Sequence, residues 1–180
     1  MSAYMQHNVV IANAPGTGVA DDKSIYPYVD KMIHFYLGEQ AILKNVPTYQ
    51  CREQNDLDYV LSNIEKLVVK EAQGSGGYGM LIGPQASLQE LNSFKDKVAA
   101  APHLYIAQPT LNLSVSPTLS EASVSERHID LRPFVLSSPY RTEIVPGGLT
   151  RVAMQAGSLV VNSSQGGGIK DTWVVDDLRS

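Results

Sequence analysis

The chain has a single cysteine among its 180 residues, Cys51, so an internal disulfide framework and a multi-cysteine metal site are both excluded. Its neighbours supply no feature that would activate a thiolate, and the expectation is a buried, inert thiol. No stretch approaches 18 consecutive apolar residues, and the opening MSAYMQHNVVIANAPG lacks a basic region followed by a long apolar run. A cytoplasmic protein without a membrane span is therefore expected. Positive charge is also thin. With 14 Lys and Arg against 18 Asp and Glu, the net charge is -4, and the basic residues are scattered singly, which argues against a nucleic-acid partner. The four histidines show no H-E-x-x-H spacing and no G-x-S-x-G elbow occurs, so zinc or serine hydrolysis is not indicated.

Apolar periodicity outlines the elements. Residues 8–14, NVVIANA, read as a short strand ending in an Ala-Pro-Gly turn. A helix follows, capped by Asp21 and Asp22 and running to about Gly38, with Lys23 in its first turn. A second helix is expected over 56–66 and a third from Ser87, where Glu90 completes a capping-box pattern, to about Ala100. Strands are expected at 67–72, 79–83, 103–109, 128–136, 148–154, 158–162 and 172–175. This order predicts an α+β protein with mainly antiparallel sheets and flanking helices. Three segments are distinguished: 1–66 with the first lysine, 67–112 with a glycine loop, and a strand-rich 113–180, together forming one compact unit.

The densest signal is VVKEAQGSGGYGMLIG, residues 68–83. Gly74, Gly76 and Gly79 formally satisfy G-x-G-x-x-G, but that dinucleotide fingerprint requires a helix to open directly after the glycines. Here the apolar run Met80–Ile82 continues as a strand. A glycine loop between two strands can instead fold over phosphates as a flap, its backbone N–H groups approaching the oxygens. Gly74, Ser75, Gly76, Gly77, Tyr78 and Gly79 form that candidate flap, and Lys70 on the preceding strand stands at its foot. The alternative is a β-hairpin with a flexible turn and a snorkelling lysine.

Further candidates are less specific. LYIAQP, residues 104–109, is an apolar strand whose Gln108 could read a purine edge or simply sit at the edge of a core strand. Asp130 and Arg132 alternate on one face of HIDLRPFVL, with Arg151 nearby in GGLTRVA. Such a set suits a terminal phosphate and its metal, or forms a surface ion pair. NSSQGGGIKD, residues 162–171, reads as a second glycine-rich loop in which Lys170 could close over an anion.

Together, IANAPGTGVADDK, NVPTYQCRE, LVVKEAQGSGGYGMLIGP, YIAQPTL, HIDLRPFVL, VPGGLTRVA and GSLVVNSSQGGGIKDTWV closely resemble the circularly permuted ATP-grasp family, bacterial proteins distantly related to glutathionylspermidine synthetase. The resemblance implies an ATP-grasp fold, present here as the C-terminal portion of the family pattern. It implies ATP and Mg2+ as cofactors, and ligation of a small-molecule or peptide carboxylate to an amine through an acyl phosphate. Lys23 and Lys70 then match the two ATP lysines, Gly74 to Gly79 the flap, Gln108 the adenine-side strand, and Arg132 and Arg151 the γ-phosphate region. The family's magnesium-holding Glu-x-Asn segment precedes these motifs, and no Glu-x-Asn here is expected at a strand end. Asp130 and Asn162 are the nearest metal-ligand candidates. The chain is accordingly expected to need an N-terminal partner segment, or to self-associate. The alternative reading is a non-catalytic nucleotide- or protein-binding module of ATP-grasp descent.

Overall fold

The structure, a computed structural model, describes residues 1–13, 15–74, 78–119, 123–138, 140–161 and 166–175. The chain divides into two units, the first formed by Met1–Gly74 and Gly79–Thr110, the second taking up the chain from Leu111.

The first unit is built on a four-stranded antiparallel sheet in the order β1-β4-β2-β3, comprising β1 (Tyr49–Gln50), β2 (Leu67–Glu71), β3 (Met80–Ile82) and β4 (Tyr105–Pro109). Four helices belong to it: α1 (Ser2–Met5), α2 (Val29–Leu37), α3 (Gln54–Asn63) and α4 (Leu88–Ala100). Alternation along β2 sends Leu67 and Val69 to one face, where they join Leu81, Ala107 and the helix-side residues Cys51, Val60, Ile64 and Val98 in a single buried cluster. Each fully buried aliphatic side chain of this set contributes about 1.5–3 kcal/mol. Val68 and Lys70 necessarily occupy the opposite face.

The expected capping box is present. The Ser87 side chain accepts from the Glu90 N–H, and the Glu90 carboxylate accepts from the Ser87 N–H at 2.8 Å. Gly83 fixes how β3 leaves the sheet: a Cβ there would lie 2.1 Å from the carbonyl oxygen of Ile64, so only glycine allows the two backbones to meet.

Two local expectations change. The helix expected from Asp21 to Gly38 is broken in two. Lys23–Tyr28, with Pro27 inside it, is a 3-10 stretch, and the α-helix begins only at Val29. Proline supplies no N–H for an α-helical bond, which accounts for the break. Residues 8–13 form bends and irregular backbone rather than a strand: among the described residues no strand pairs with them, and Val10 is 92% exposed. β-branched residues alone do not make a strand without a partner.

The second unit holds another four-stranded antiparallel sheet, ordered β5 (Val115–Leu119), β6 (Val124–Ser137), β7 (Thr142–Val152) and β8 (Gly168–Thr172). A register shift between Pro133 and Val135 interrupts the long β6–β7 pairing. The described part of the expected strand 158–162 is not a strand. Nor are Trp173–Val175, and Trp173 is largely exposed. The fourth strand forms instead on Gly168–Thr172, within the expected glycine loop, and Thr150 and Thr172 meet through their hydroxyls at 2.6 Å.

Candidate functional site

Lys70 leaves β2 on the face away from α3 and α4. Val68, two residues earlier, lies directly opposite Gln108 on β4, so Lys70 and Gln108 are diagonal neighbours on that face. The Lys70 ammonium donates to Gln108 Oε1 at 2.8 Å. The Gln108 amide in turn donates to Thr48 Oγ1 at 2.9 Å, and the Thr48 hydroxyl donates to the Val46 carbonyl at 3.0 Å. Gln108 is only 6% exposed, so both halves of its amide are used inside the protein. This chain of neutral acceptors fixes the lysine without neutralising it.

The second lysine arrives from a distant part of the sequence. Asp22 accepts from the Ser24 N–H at 2.9 Å and from the Ser24 hydroxyl at 2.6 Å, closing a turn that presents Lys23 to the end of β2. The bond to the Ser24 hydroxyl is the main reason the Asp22 carboxyl titrates below its ordinary range. The Lys23 N–H donates to the Ala72 carbonyl at 2.9 Å, and its ammonium donates to the carbonyls of Ala72 and Gly74, the residues that open the glycine loop.

The two ammonium groups feel each other. Burial first, and then the positive charge of Lys23, pull the Lys70 ammonium below its ordinary pKa. Among the described residues neither lysine forms an ion pair. The loop itself leaves the sheet at Glu71 and returns at Gly79, whose φ of +65° lies in the left-handed region. Tyr78 is exposed. Ser75, Gly76 and Gly77 lie outside the described residues.

The second unit gathers Asp130, Arg132 and Arg151. Asp130 faces Arg151 directly across the β6–β7 pair, and Arg132 reaches back two residues to Asp130 Oδ2 through Nε at 3.2 Å and Nη2 at 3.1 Å. The other carboxylate oxygen, Oδ1, is buried and accepts no hydrogen bond among the described residues. These three residues thus share one sheet face, as the sequence spacing suggests. Lys170 behaves differently. It stands on β8 rather than in a loop, and its ammonium is held by Ser116 Oγ at 3.1 Å and by the Pro117 carbonyl.

No group of three or more His, Cys, Asp or Glu residues able to hold a metal occurs among the described residues. Asn162 lies outside them, and one oxygen of Asp130 is engaged by Arg132. The chain's two Glu-x-Asn triplets both fall on helices: Glu53-Gln54-Asn55 at the start of α3, and Glu90-Leu91-Asn92 in α4, where Glu90 serves the cap. No described helix is long and apolar enough to cross a membrane.

Thr48 was not singled out by sequence, although NVPTYQC was. Its role appears only when β1 pairs with β4, since Tyr49 and Gln50 lie opposite Ala107 and Ile106, which sets Thr48 beside Gln108.

The sequence model of the family described as circularly permuted ATP-grasp type 2 matches residues 1–153. The chain belongs to that family. The two antiparallel sheets and four helices agree with the α+β class expected of it. An uncharacterized protein of Synechocystis is 57% identical over 175 residues, covering 97% of this chain and 36% of that protein. An uncharacterized protein of Mycobacterium tuberculosis is 49% identical over 175 residues, 97% of this chain and 32% of its own length. A Frankia alni protein bearing the name "Putative glutamate--cysteine ligase 2-3" is 45% identical over 174 residues, 97% of this chain and 20% of that protein. The chain thus spans about a third or less of the length of the curated relatives it matches.

Proposed function

We propose that the chain carries the nucleotide-binding part of an ATP-dependent ligase that joins a carboxylate to an amine, completed by further polypeptide. One observation carries this reading: two ammonium groups, Lys23 and Lys70, each held by neutral acceptors where β2 runs into a glycine-rich loop, make no ion pair among the described residues, and the Lys23 charge acts on Lys70. Keeping like charges together costs free energy, and an arriving polyphosphate converts that cost into binding.

In this reading Lys23 and Lys70 hold the phosphates, residues 74–79 fold over them, and Gln108 both fixes Lys70 and lies on the adenine side. In the second unit, Arg132 and Arg151 are the proposed phosphate-binding arginines, with Asp130 orienting Arg132. The proposed reaction runs through an acyl phosphate. A carboxylate oxygen attacks the γ-phosphorus and the bond to ADP breaks. The amine then attacks the acyl carbon of the resulting acyl phosphate, loses a proton, and phosphate departs with the bonding electrons. The main magnesium ligands are proposed to come from further polypeptide, with Asp130 and Asn162 as the candidates within this chain. The relation to glutathionylspermidine synthetase and work in the cytoplasm belong to the same proposal.

Calorimetric titration with ATP tests it. Lys70→Ala is expected to weaken binding by about 1.5–3 kcal/mol, the scale of a charged hydrogen bond. Unchanged affinity in this variant removes Lys70 from the site.

A further inference from the structure

The β6–β7 hairpin outgrows its sheet. β5 pairs with β6 only as far as His128, and β8 pairs with β7 only over Gly148–Val152. Among the described residues, 131–137 and 142–146 therefore form a two-stranded ribbon with no strand beside either outer edge. A two-stranded ribbon is marginal on its own in water and gains independent stability only from more strands or a covering layer. The apolar content of this one is nonetheless high. Val135 and Ile144 lie opposite each other in register and are 55% and 68% exposed, and Leu131, Phe134 and Leu136 are each more than half exposed. Its charged residues, Arg132, Arg141 and Glu143, do not interrupt the Val135–Ile144 pair.

The edges are less inviting than the faces. Pro133 and Pro146, one on each strand, lack a backbone donor, and proline on an exposed strand is a usual defence against strand addition. What remains is two apolar faces without a cover. The longer relatives indicate what supplies it. The Synechocystis protein aligns along 97% of this chain while the chain spans only 36% of it, so in that protein the same hairpin coexists with a large amount of additional polypeptide.

We propose that the face centred on Val135 and Ile144 is a docking surface for that additional polypeptide, covalently attached in the relatives. The inference rests on the reading that further polypeptide completes the ligase, and not on nucleotide binding by the lysine pair. The occupant must be apolar where it meets Val135 and Ile144.

Hydrogen exchange followed by mass spectrometry tests this on two intact proteins, the present chain and the full-length Synechocystis relative. The cross-strand amides of 131–137 and 142–146 are expected to exchange at least about 100-fold more slowly in the relative's corresponding hairpin than in the chain alone, as they do when a local opening is suppressed by cover. Equal rates in the two proteins overturn the proposal. So does protection that grows with the concentration of the chain alone, which assigns the face to a second copy. A paired substitution gives a second readout. Val135→Lys with Ile144→Lys is expected to leave the melting temperature of the chain unchanged, while the same changes at the aligned positions lower that of the relative. No shift in the relative overturns the docking surface. ATP titration is read separately, so failure of the nucleotide site and failure of the docking surface are distinguishable.

Discussion

Lys70 and Gln108 are joined across the β2–β4 pair by a 2.8 Å hydrogen bond in which a buried amide, not a carboxylate, receives the ammonium. The lysine is positioned without losing its charge. Gln108→Leu is expected to leave Lys70 and Thr48 each short of a partner. It should destabilise the protein by about 1–3 kcal/mol, the cost of an unsatisfied buried polar group, measured by urea denaturation. A loss under about 0.5 kcal/mol would show that water replaces the amide without penalty.

The depressed Lys70 pKa fixes a sign. Its ordinary value is 10.5 and the folded value is lower, so between the two the unfolded chain binds more protons and stability contributed at this site rises with pH. Below the folded pKa the full penalty of the buried charge applies. In Lys70→Met that penalty is absent. The stability of wild type minus that of Lys70→Met should therefore become more favourable to wild type as pH rises toward 10.5, followed by denaturation at a series of pH values. Over the same range, ATP binding by wild type should weaken as Lys70 gives up its proton. A stability difference independent of pH contradicts the assignment.

Burial, assisted by the nearby Asp56 charge, pushes the Cys51 thiol up to about 11. Alkylation by iodoacetamide near pH 8 is expected to be negligible in the folded protein and complete in urea. Rapid modification of the native chain would contradict the buried position.

Gly83→Ala places a methyl group against the backbone of Ile64 and Leu67. Neither carbonyl can move without disturbing β2, so a loss of about 3 kcal/mol is expected, read as a drop in melting temperature. Ser87→Ala removes one half of the capping box at α4 and is expected to cost about 1 kcal/mol.

Residues whose roles depend on neighbours in the chain were legible from sequence. Ser87 and Glu90 announce their cap by spacing alone, and the change from helical to strand periodicity at Leu67 locates β2 and the loop that follows it. The face shared by Asp130 and Arg132 also follows from strand alternation. Roles created by partners far along the chain were not legible. β1 is only two residues long and exists because β4 lies beside it, so Thr48 carried no sign of its contact with Gln108. β8 forms where β7 offers an unpaired edge, although its residues resemble a loop more than the β-branched stretch before them. Pro27 shows the opposite failure, a local rule underweighted against a favourable apolar period.

Two of the three N–H donors of the Lys23 ammonium are committed to the carbonyls of Ala72 and Gly74. An anion that takes more than the remaining donor competes with those oxygens. In the proposed nucleotide site, multidentate phosphate contact by Lys23 and tethering of Ala72 and Gly74 therefore draw on one small pool of donors.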